Sequence, residues 1–187
     1  MSNYWKETGQ FLSEVVKVGL ISLAIILPIR YFLVQPFYVK GESMEPNYLN
    51  KDYLLIDEIS FRFREPARGE VVVLRYPRNE KEFFIKRVVG LPGDRVVIKD
   101  GAVWLSKAGE QLEKQTEDYL PAGLTTLGDQ DITLQADQYY VLGDNRGASL
   151  DSRSFGPVIK REIVGRSWLR AWPFDRWAVF NSTVPNQ

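Results

Sequence analysis

Residues 81–106 read KEFFIKRVVGLPGDRVVIKDGAVWLS, and this stretch decides the fold class. Its first ten residues form an apolar run of the kind found in half-buried strands. Further along, the apolar runs VVI and VWL flank Asp100-Gly101, a dipeptide typical of a two-residue hairpin turn. Between the two regions, GLPGD at 90–94 predicts a tight turn. The stretch therefore predicts consecutive antiparallel strands.

Runs of the same kind lie on both sides of this stretch. They are FYVKG (37–41), DYLLIDEIS (52–60), GEVVVLRYP (69–77), QYYVLGD (138–144) and VIKREIVGRSWLRAW (158–172). No amphipathic helix of useful length is visible after residue 40. The sequence therefore predicts a mainly β fold, an antiparallel folded sheet or open barrel. We expect a first strand at 37–40 and a polar, loop-rich insertion at about 99–137.

The N-terminal segment, residues 1–36, differs in composition from the rest. Residues 18–29 form the uncharged run VGLISLAIILPI, which alone is too short to cross a bilayer, since a spanning helix needs about 20 residues. Extension through Arg30 to Val34 supplies that length, because an arginine near a helix end can reach the interface. We predict one N-terminal transmembrane helix at about 15–35, followed by a β-rich domain at 37–187. A core helix of a soluble domain is the alternative.

The composition excludes several kinds of chemistry. The 187 residues include no His and no Cys, so a Ser-His-Asp triad, a cysteine nucleophile and His- or Cys-based metal sites are impossible. Lys and Arg total 24, as do Asp and Glu, so the net charge gives no general attraction to nucleic acid. Any catalysis must therefore use Ser, Thr, Lys, Tyr, Asp, Glu or a carboxylate-bound metal.

Two segments supply candidate catalytic residues. Ser43 lies in GESMEP (41–46), where a serine near a flexible glycine can expose its hydroxyl on a tight turn. Strand alternation places Lys86 on the same face as Phe84 and Val88, so its amine should be partly desolvated. Desolvation lowers the pKa of a lysine and provides the neutral amine that a general base requires. Taken singly, a loop serine and a strand lysine with a solvated head are the simpler interpretations.

A third segment, GDNRGASLDSR (143–153), follows the predicted strand at 139–142. Its acidic and basic side chains can pair with one another and fix the shape of the loop, since arginine offers a planar fork to carboxylates. These residues are Asp144, Arg146, Asp151 and Arg153. The alternative is a solvated surface loop.

Together, GESMEP, FFIKRVVGLPGD and GDNRGASLDSR resemble the motifs of type I signal peptidases, in the same order and after a hydrophobic N-terminal segment. The resemblance implies that Ser43 is the nucleophile, that Lys86 is the general base and that Ser149 hydrogen-bonds and orients this lysine. It also implies that the four charged residues of the third segment support the site. No cofactor and no metal is expected.

The resemblance further implies the substrate and the location. The substrate would be an exported preprotein with small residues at positions −1 and −3, bound extended beside the strands. The residues expected to line its groove are Val39, Met44, Tyr48, Phe84 and Ile85. The expected partners are preprotein signal peptides and the lipid bilayer, with no nucleic acid, at the cytoplasmic membrane with the catalytic domain outside. Gly147 and Ala148 depart from the polar pair common in the family.

Three other interpretations are open at this point. A self-cleaving repressor shares Ser-Lys chemistry, but an apolar segment occupies the place of its DNA-binding helices. A membrane-tethered, non-catalytic β-domain that binds proteins would make Ser43 and Lys86 incidental. A substrate-specialised Ser-Lys processing peptidase would keep the chemistry and restrict the preproteins.

Overall fold

The computed structural model describes residues 2–32, 34–107 and 110–180, without the side chains of residues 2–10, 27–32 and 34. The prediction of a mainly β, antiparallel fold is confirmed, because every strand pair in this part of the chain is antiparallel. The α-helices of the described residues are α1 (Ser2–Phe32), α2 (Ser60–Phe63) and α3 (Ser152–Phe155). Single 3₁₀ turns cover Lys160–Glu162 and Phe174–Arg176.

The main sheet has eight strands and carries the segments with candidate catalytic residues. Its order is β1 (Val34–Tyr38), β2 (Tyr53–Asp57), β11 (Ile163–Trp172), β3 (Val71–Tyr76), β4 (Asn79–Gly90), β9 (Gln138–Leu142) and β10 (Val158–Ile159), with β12 (Ala178–Val179) paired to β11. β4 lies between β3 and β9, so side chains from distant parts of the chain meet around it.

A second sheet has four strands, in the order β7 (Glu113–Lys114), β6 (Ala102–Ser106), β5 (Arg95–Lys99) and β8 (Gln130–Thr133). β5 and β6 form the hairpin predicted from Asp100-Gly101, with Lys99 paired to Ala102. Both turn residues have positive φ angles, 52° at Asp100 and 72° at Gly101, as a type I′ turn requires. The sequence interpretation of this hairpin is therefore confirmed.

Three buried apolar clusters hold the sheets together. One is formed mainly by side chains of β3, β4 and β9, with contributions from α2, β10 and β11, and a second joins the two sheets. In the second, Val96 and Ile98 of β5 pack with Tyr140 and Leu142 of β9. The third cluster includes Val39, Met44, Leu54 and Val73, and it supports the turn that follows β1. Burial of apolar side chains from several strands thus fixes the positions of β1, β4 and β9 relative to one another.

The N-terminal helix differs from its prediction at its C-terminal end. α1 ends at Phe32 and β1 begins at Val34, so the strand expected at 37–40 actually spans Val34–Tyr38. The apolar side chains between Phe11 and Ile26 are exposed. None of the helices in the described residues combines the length and the apolar character needed to cross a membrane. Part of the predicted span at 15–35 lies outside the described side chains.

Candidate active site

The turn at residues 41–48, here called the Ser43 turn, follows β1 and is held by backbone hydrogen bonds. The Tyr48 amide donates to the Met44 carbonyl at 2.9 Å, and the Val39 amide donates to the Asp52 carbonyl at 2.9 Å. The buried Asp52 carboxylate accepts from the Leu49 amide at 2.9 Å and from the Arg176 guanidinium at 2.8 Å. The loop carrying Ser43 is therefore closed at its base.

Lys86 projects from the middle of β4 to the hydroxyl of Ser43. Its Nζ atom donates to Ser43 Oγ at 2.8 Å and to the carbonyl oxygen of Ile85 at 2.8 Å. The Phe84 ring centroid lies 5.2 Å from the same nitrogen, and Lys86 is only 3% exposed. The structure thus brings together the two predicted catalytic residues, which are 43 positions apart in the chain.

Burial changes the acid–base behaviour of this lysine. Loss of solvent lowers the pKa of Lys86 from 10.5 to about 8, although Asp151 and Asp144 partly counteract the effect by favouring the charged form. A substantial fraction of the amine is therefore neutral near pH 8. In that form the same 2.8 Å contact lets the Ser43 hydroxyl donate its proton to Nζ.

The loop at residues 143–153, here called the support loop, clamps the backbone of the Ser43 turn. The Asn145 amide donates to the Ser43 carbonyl at 3.0 Å, and Asn145 Nδ2 donates to the Glu42 carbonyl at 3.1 Å. Gly143 allows this close approach, because a Cβ atom there would overlap the Ser43 carbonyl and the Ser149 side chain. The support loop and the Ser43 turn are therefore packed backbone to backbone.

The predicted pairing among the charged residues of the support loop is only partly correct. Arg153 and Asp151 do pair, with Nη2 2.8 Å from Oδ2. Asp144 instead pairs with Arg87 on β4, at 2.6 and 2.8 Å, and also accepts from Asn47 at 2.8 Å. Arg146 pairs with Glu117 of the segment before β8 and donates to the Thr126 hydroxyl. Two of the four residues thus connect the loop to other parts of the fold, since their nearest opposite charges lie there.

The predicted hydrogen bond between Ser149 and Lys86 is absent. The nitrogen of Lys86 is bonded to Ser43 and Ile85 instead. Ser149 Oγ lies buried beside Gly143 and next to the Asp151 carboxylate. A hydrogen bond from Ser149 to the lysine is thus not observed, and the expectation that this serine orients Lys86 stays a prediction.

A cleft of about 350 Å³ opens beside Ser43 and Lys86. It is lined by residues 37–43, Leu54, Val73, residues 83–86, Ala148 and Leu150. Three of the five predicted groove residues, Val39, Phe84 and Ile85, are among them. A larger cavity of about 610 Å³, around α2 and Ile163, does not include either catalytic candidate.

Met44 and Tyr48, which were also predicted to line the groove, do not line this cleft. Met44 is 1% exposed and Tyr48 is 3% exposed, and both belong to the third apolar cluster. The Tyr48 ring packs on Phe180, with ring centroids 4.9 Å apart. The Ser43 turn directs these side chains toward the interior, so they support the turn from beneath.

Sequence reasoning missed the partners that come from outside the three motifs. Arg87 could have been suspected, because a charged residue next to Lys86 in an apolar strand needs a partner. Asn47 and Glu117 gave no comparable signal. Glu117 is 29 positions from Arg146, and the sequence of the polar segment around it does not indicate that contact.

Comparisons with known proteins show which family the chain resembles. Residues 12–172 match the sequence profile of the family described as "Signal peptidase, peptidase S26". Probable signal peptidase I-2 of Synechocystis sp. is 36% identical over 179 residues, which cover 93% of this chain and 76% of the relative. Signal peptidase I of Leptolyngbya laminosa is 36% identical over 173 residues, covering 88% and 82% respectively.

A third relative, signal peptidase I P of Bacillus subtilis subsp. natto, is 34% identical over 166 residues, which cover 86% of this chain and 89% of the relative. The family match includes α1 from residue 12, the Ser43 turn, β4 and the support loop. The family predicted from the three motifs is thus confirmed. This chain belongs to the signal peptidase family, peptidase S26.

Proposed function

We propose that this signal peptidase cleaves with Ser43 as nucleophile and Lys86 as general base. The observation that carries the proposal is the 2.8 Å contact between Lys86 Nζ and Ser43 Oγ. It is supported by the burial of Lys86, which lowers the pKa of its amine to about 8. A neutral amine in contact with a serine hydroxyl is the arrangement that nucleophilic catalysis requires without histidine.

The reaction proceeds in two stages. Neutral Lys86 takes the proton of Ser43 while Oγ attacks the carbonyl carbon before the scissile bond. Backbone N–H groups of the Ser43 turn, chiefly that of Ser43, stabilise the oxyanion. Protonated Lys86 then gives the proton to the leaving amine, which departs and leaves an ester on Ser43. Lys86 next activates a water molecule that hydrolyses this ester and restores the free hydroxyl.

The substrate is the signal peptide of an exported preprotein, with small side chains at positions −1 and −3. The apolar residues Val39, Leu54, Val73 and Ile85 line the cleft on one side of Ser43. Bulky apolar walls select small side chains mainly by exclusion. An extended peptide beside β4 would bring its carbonyl group to Ser43.

Membrane attachment belongs to the same proposal. The exposed apolar side chains of α1, from Phe11 to Ile26, suit a lipid environment better than water. Exposed aromatic residues near the end of β11, Trp172, Phe174 and Trp177, are of the type found at membrane interfaces. The enzyme would be single-pass in the cytoplasmic membrane, with the peptidase domain (37–187, insertion about 99–137) on the outer side.

A cleavage assay with the full chain in detergent or lipid tests this function. The substrates are a preprotein with an Ala-x-Ala site and matched preproteins with Phe at −1 or at −3. We expect cleavage after the −1 alanine only in the first substrate, identified by the mass of the two products. A folded, lipid-bound chain that cuts none of them would favour a non-catalytic binding module or a specialised peptidase.

A further inference from the structure

The two sides of the cleft come from different parts of the main sheet. β4, which carries Lys86, lies between β3 and β9. Val73 of β3 and Leu54 of β2 line the cleft on one side of β4. Ala148 and Leu150 also line it, and they belong to the support loop, which begins where β9 ends. This loop starts beside Arg87, the register partner of Leu142, so it emerges on the β9 side of β4.

In the proposed mechanism, one side of the cleft binds the substrate residues before the scissile bond, and the other side binds the residues after it. Residues −1 and −3 occupy the side formed by β2, β3 and the Ser43 turn. An extended chain advances about 3.3 Å per residue, so the residues after the scissile bond continue past Lys86. Lys86 delivers its proton to the leaving amine and must therefore face the leaving half of the peptide. That half then lies against the support loop.

We propose that Ala148 and Leu150 form a subsite for the first two residues of the mature protein, and that this subsite favours uncharged apolar side chains. The proposal rests on the proposed function. Type I signal peptidases commonly have a polar residue at the position of Ala148. An apolar subsite would explain why this chain has alanine there instead. The methyl group of Ala148 and the isobutyl group of Leu150 present an apolar wall at the mouth of the cleft.

The structure holds Leu150 firmly in this exposed position. Leu150 is 46% exposed, whereas its neighbour Asp151 is fully buried. Asp151 accepts from the Gly143 amide at 3.1 Å and pairs with Arg153 at 2.8 Å, so the backbone on one side of Leu150 is fixed. Ala148 is held by a turn in which its amide donates to the Asn145 carbonyl at 3.1 Å. A loop backbone that is already held in place loses little conformational entropy when a substrate covers it.

Electrostatics in this part of the loop also favour uncharged substrates. The charges of Asp144, Asp151 and Arg153 are engaged in ion pairs with Arg87 or with each other. They therefore offer no unpaired charge to a charged residue at +1 or +2. A charged side chain placed against Leu150 would lose hydration without gaining a partner in the support loop.

Competition between preproteins tests the subsite with the full chain in detergent. All substrates carry Ala at −3 and −1 and differ only at +1 and +2, which are both Leu, both Lys or both Asp. We expect the parent to cleave the Leu substrate with the highest kcat/KM. In Leu150→Glu, the Lys-to-Leu ratio of kcat/KM should rise by about fivefold, the size expected for a partly exposed ion pair. In Ala148→Lys, the Asp-to-Leu ratio should rise instead.

Leu124→Glu is the matched control, because Leu124 is 40% exposed and does not line the cleft. Its Lys-to-Leu and Asp-to-Leu ratios of kcat/KM should equal those of the parent. If neither the Lys-to-Leu ratio in Leu150→Glu nor the Asp-to-Leu ratio in Ala148→Lys changes, the subsite proposal is overturned and the proposed function is not. The same holds if kcat/KM falls equally for every substrate. A folded parent that cleaves none of the preproteins would overturn the proposed function, and the subsite with it.

Discussion

Arg87 and Asp144 form a two-point ion pair, with Nε 2.8 Å from Oδ1 and Nη2 2.6 Å from Oδ2. Each partner is adjacent in sequence to a residue that contacts Ser43. Arg87 follows Lys86, whose nitrogen reaches Ser43 Oγ, and Asp144 precedes Asn145, whose amide binds the Ser43 carbonyl. The pair therefore ties β4, which carries Lys86, to the support loop, which binds the backbone of the Ser43 turn.

Removal of one member of this pair should destabilise the fold strongly. Asp144 is fully buried, so Asp144→Ala leaves the Arg87 charge buried without its carboxylate. Loss of one partner of a buried pair costs about 3–5 kcal/mol of unfolding free energy. The exposed pair between Arg95 and Asp131 supplies the control, and Asp131→Ala should have little effect. Urea unfolding of both variants compares them, and equal losses would contradict this role of Asp144.

Gly143 should be essential for activity because of its contact with the Ser43 turn. A Cβ atom in Gly143→Ala would displace the Ser43 carbonyl or the Ser149 side chain. A displacement of about 1 Å can cost about 100-fold in rate, so kcat/KM should fall by that order. Gly147→Ala is the control, since a Cβ atom at 147 meets no atom within 4 Å. Parental kcat/KM in Gly143→Ala would show that the backbone clamp does not position Ser43.

The pH dependence of cleavage should report the titration of Lys86. Burial lowers the pKa of this amine to about 8, and only the neutral form can accept the proton of Ser43. The value of kcat/KM should therefore rise with pH and reach half its maximum near pH 8. A rate profile with its rising limb centred near pH 10 would mean that Lys86 is not desolvated in the working enzyme.

The same pKa shift predicts an unusual effect on stability. The folded state holds Lys86 with a pKa of about 8, against 10.5 for the free side chain. Below pH 8 the amine is charged in both states, and the folded state carries the full cost of burying the charge. Between these two pKa values the unfolded state binds more protons, so stability rises with pH. Lys86→Met should therefore stabilise the fold at pH 7, by at most about 3 kcal/mol, and less at pH 10.

Urea unfolding of Lys86→Met and of the parent at pH 7 and pH 10 measures this difference. Lys81→Met is the control, since Lys81 is an exposed residue of β4. Because this side chain is exposed, its loss should change the unfolding free energy little. A Lys86→Met variant that is less stable than the parent at pH 7 would indicate that the hydrogen bonds of Lys86 outweigh its desolvation.

Local patterns allowed the strands to be predicted with good accuracy. Strand alternation predicted that Lys86 shares a face with Phe84, and the ring lies 5.2 Å from the lysine nitrogen. The Asp100-Gly101 dipeptide predicted a hairpin whose turn residues have the required positive φ angles. These predictions depend on periodicity and turn preference, which are encoded in neighbouring residues.

Long-range contacts could not be predicted in the same way. The direction of the Ser43 turn buries Met44 and Tyr48, and no strand periodicity applies within a turn. Glu117 lies between β7 and β8 of the second sheet, yet it pairs with Arg146 of the support loop beside the main sheet. The hydroxyl of Ser149 lies beside Gly143, whereas the nitrogen of Lys86 is bonded to Ser43 and Ile85. Such contacts depend on the tertiary arrangement, so local patterns in a single sequence do not predict them.

Cleavage of an Ala-x-Ala preprotein by the parent, Ser43→Ala, Lys86→Ala and Lys86→Arg tests the Ser-Lys mechanism most directly. We predict that the parent cuts after the −1 alanine and that all three variants fold but do not cut. Lys86→Arg is the most informative variant, because an arginine keeps the charge but cannot give up its proton in this pH range. Cleavage by Lys86→Arg or by Ser43→Ala at the parental rate would contradict the mechanism.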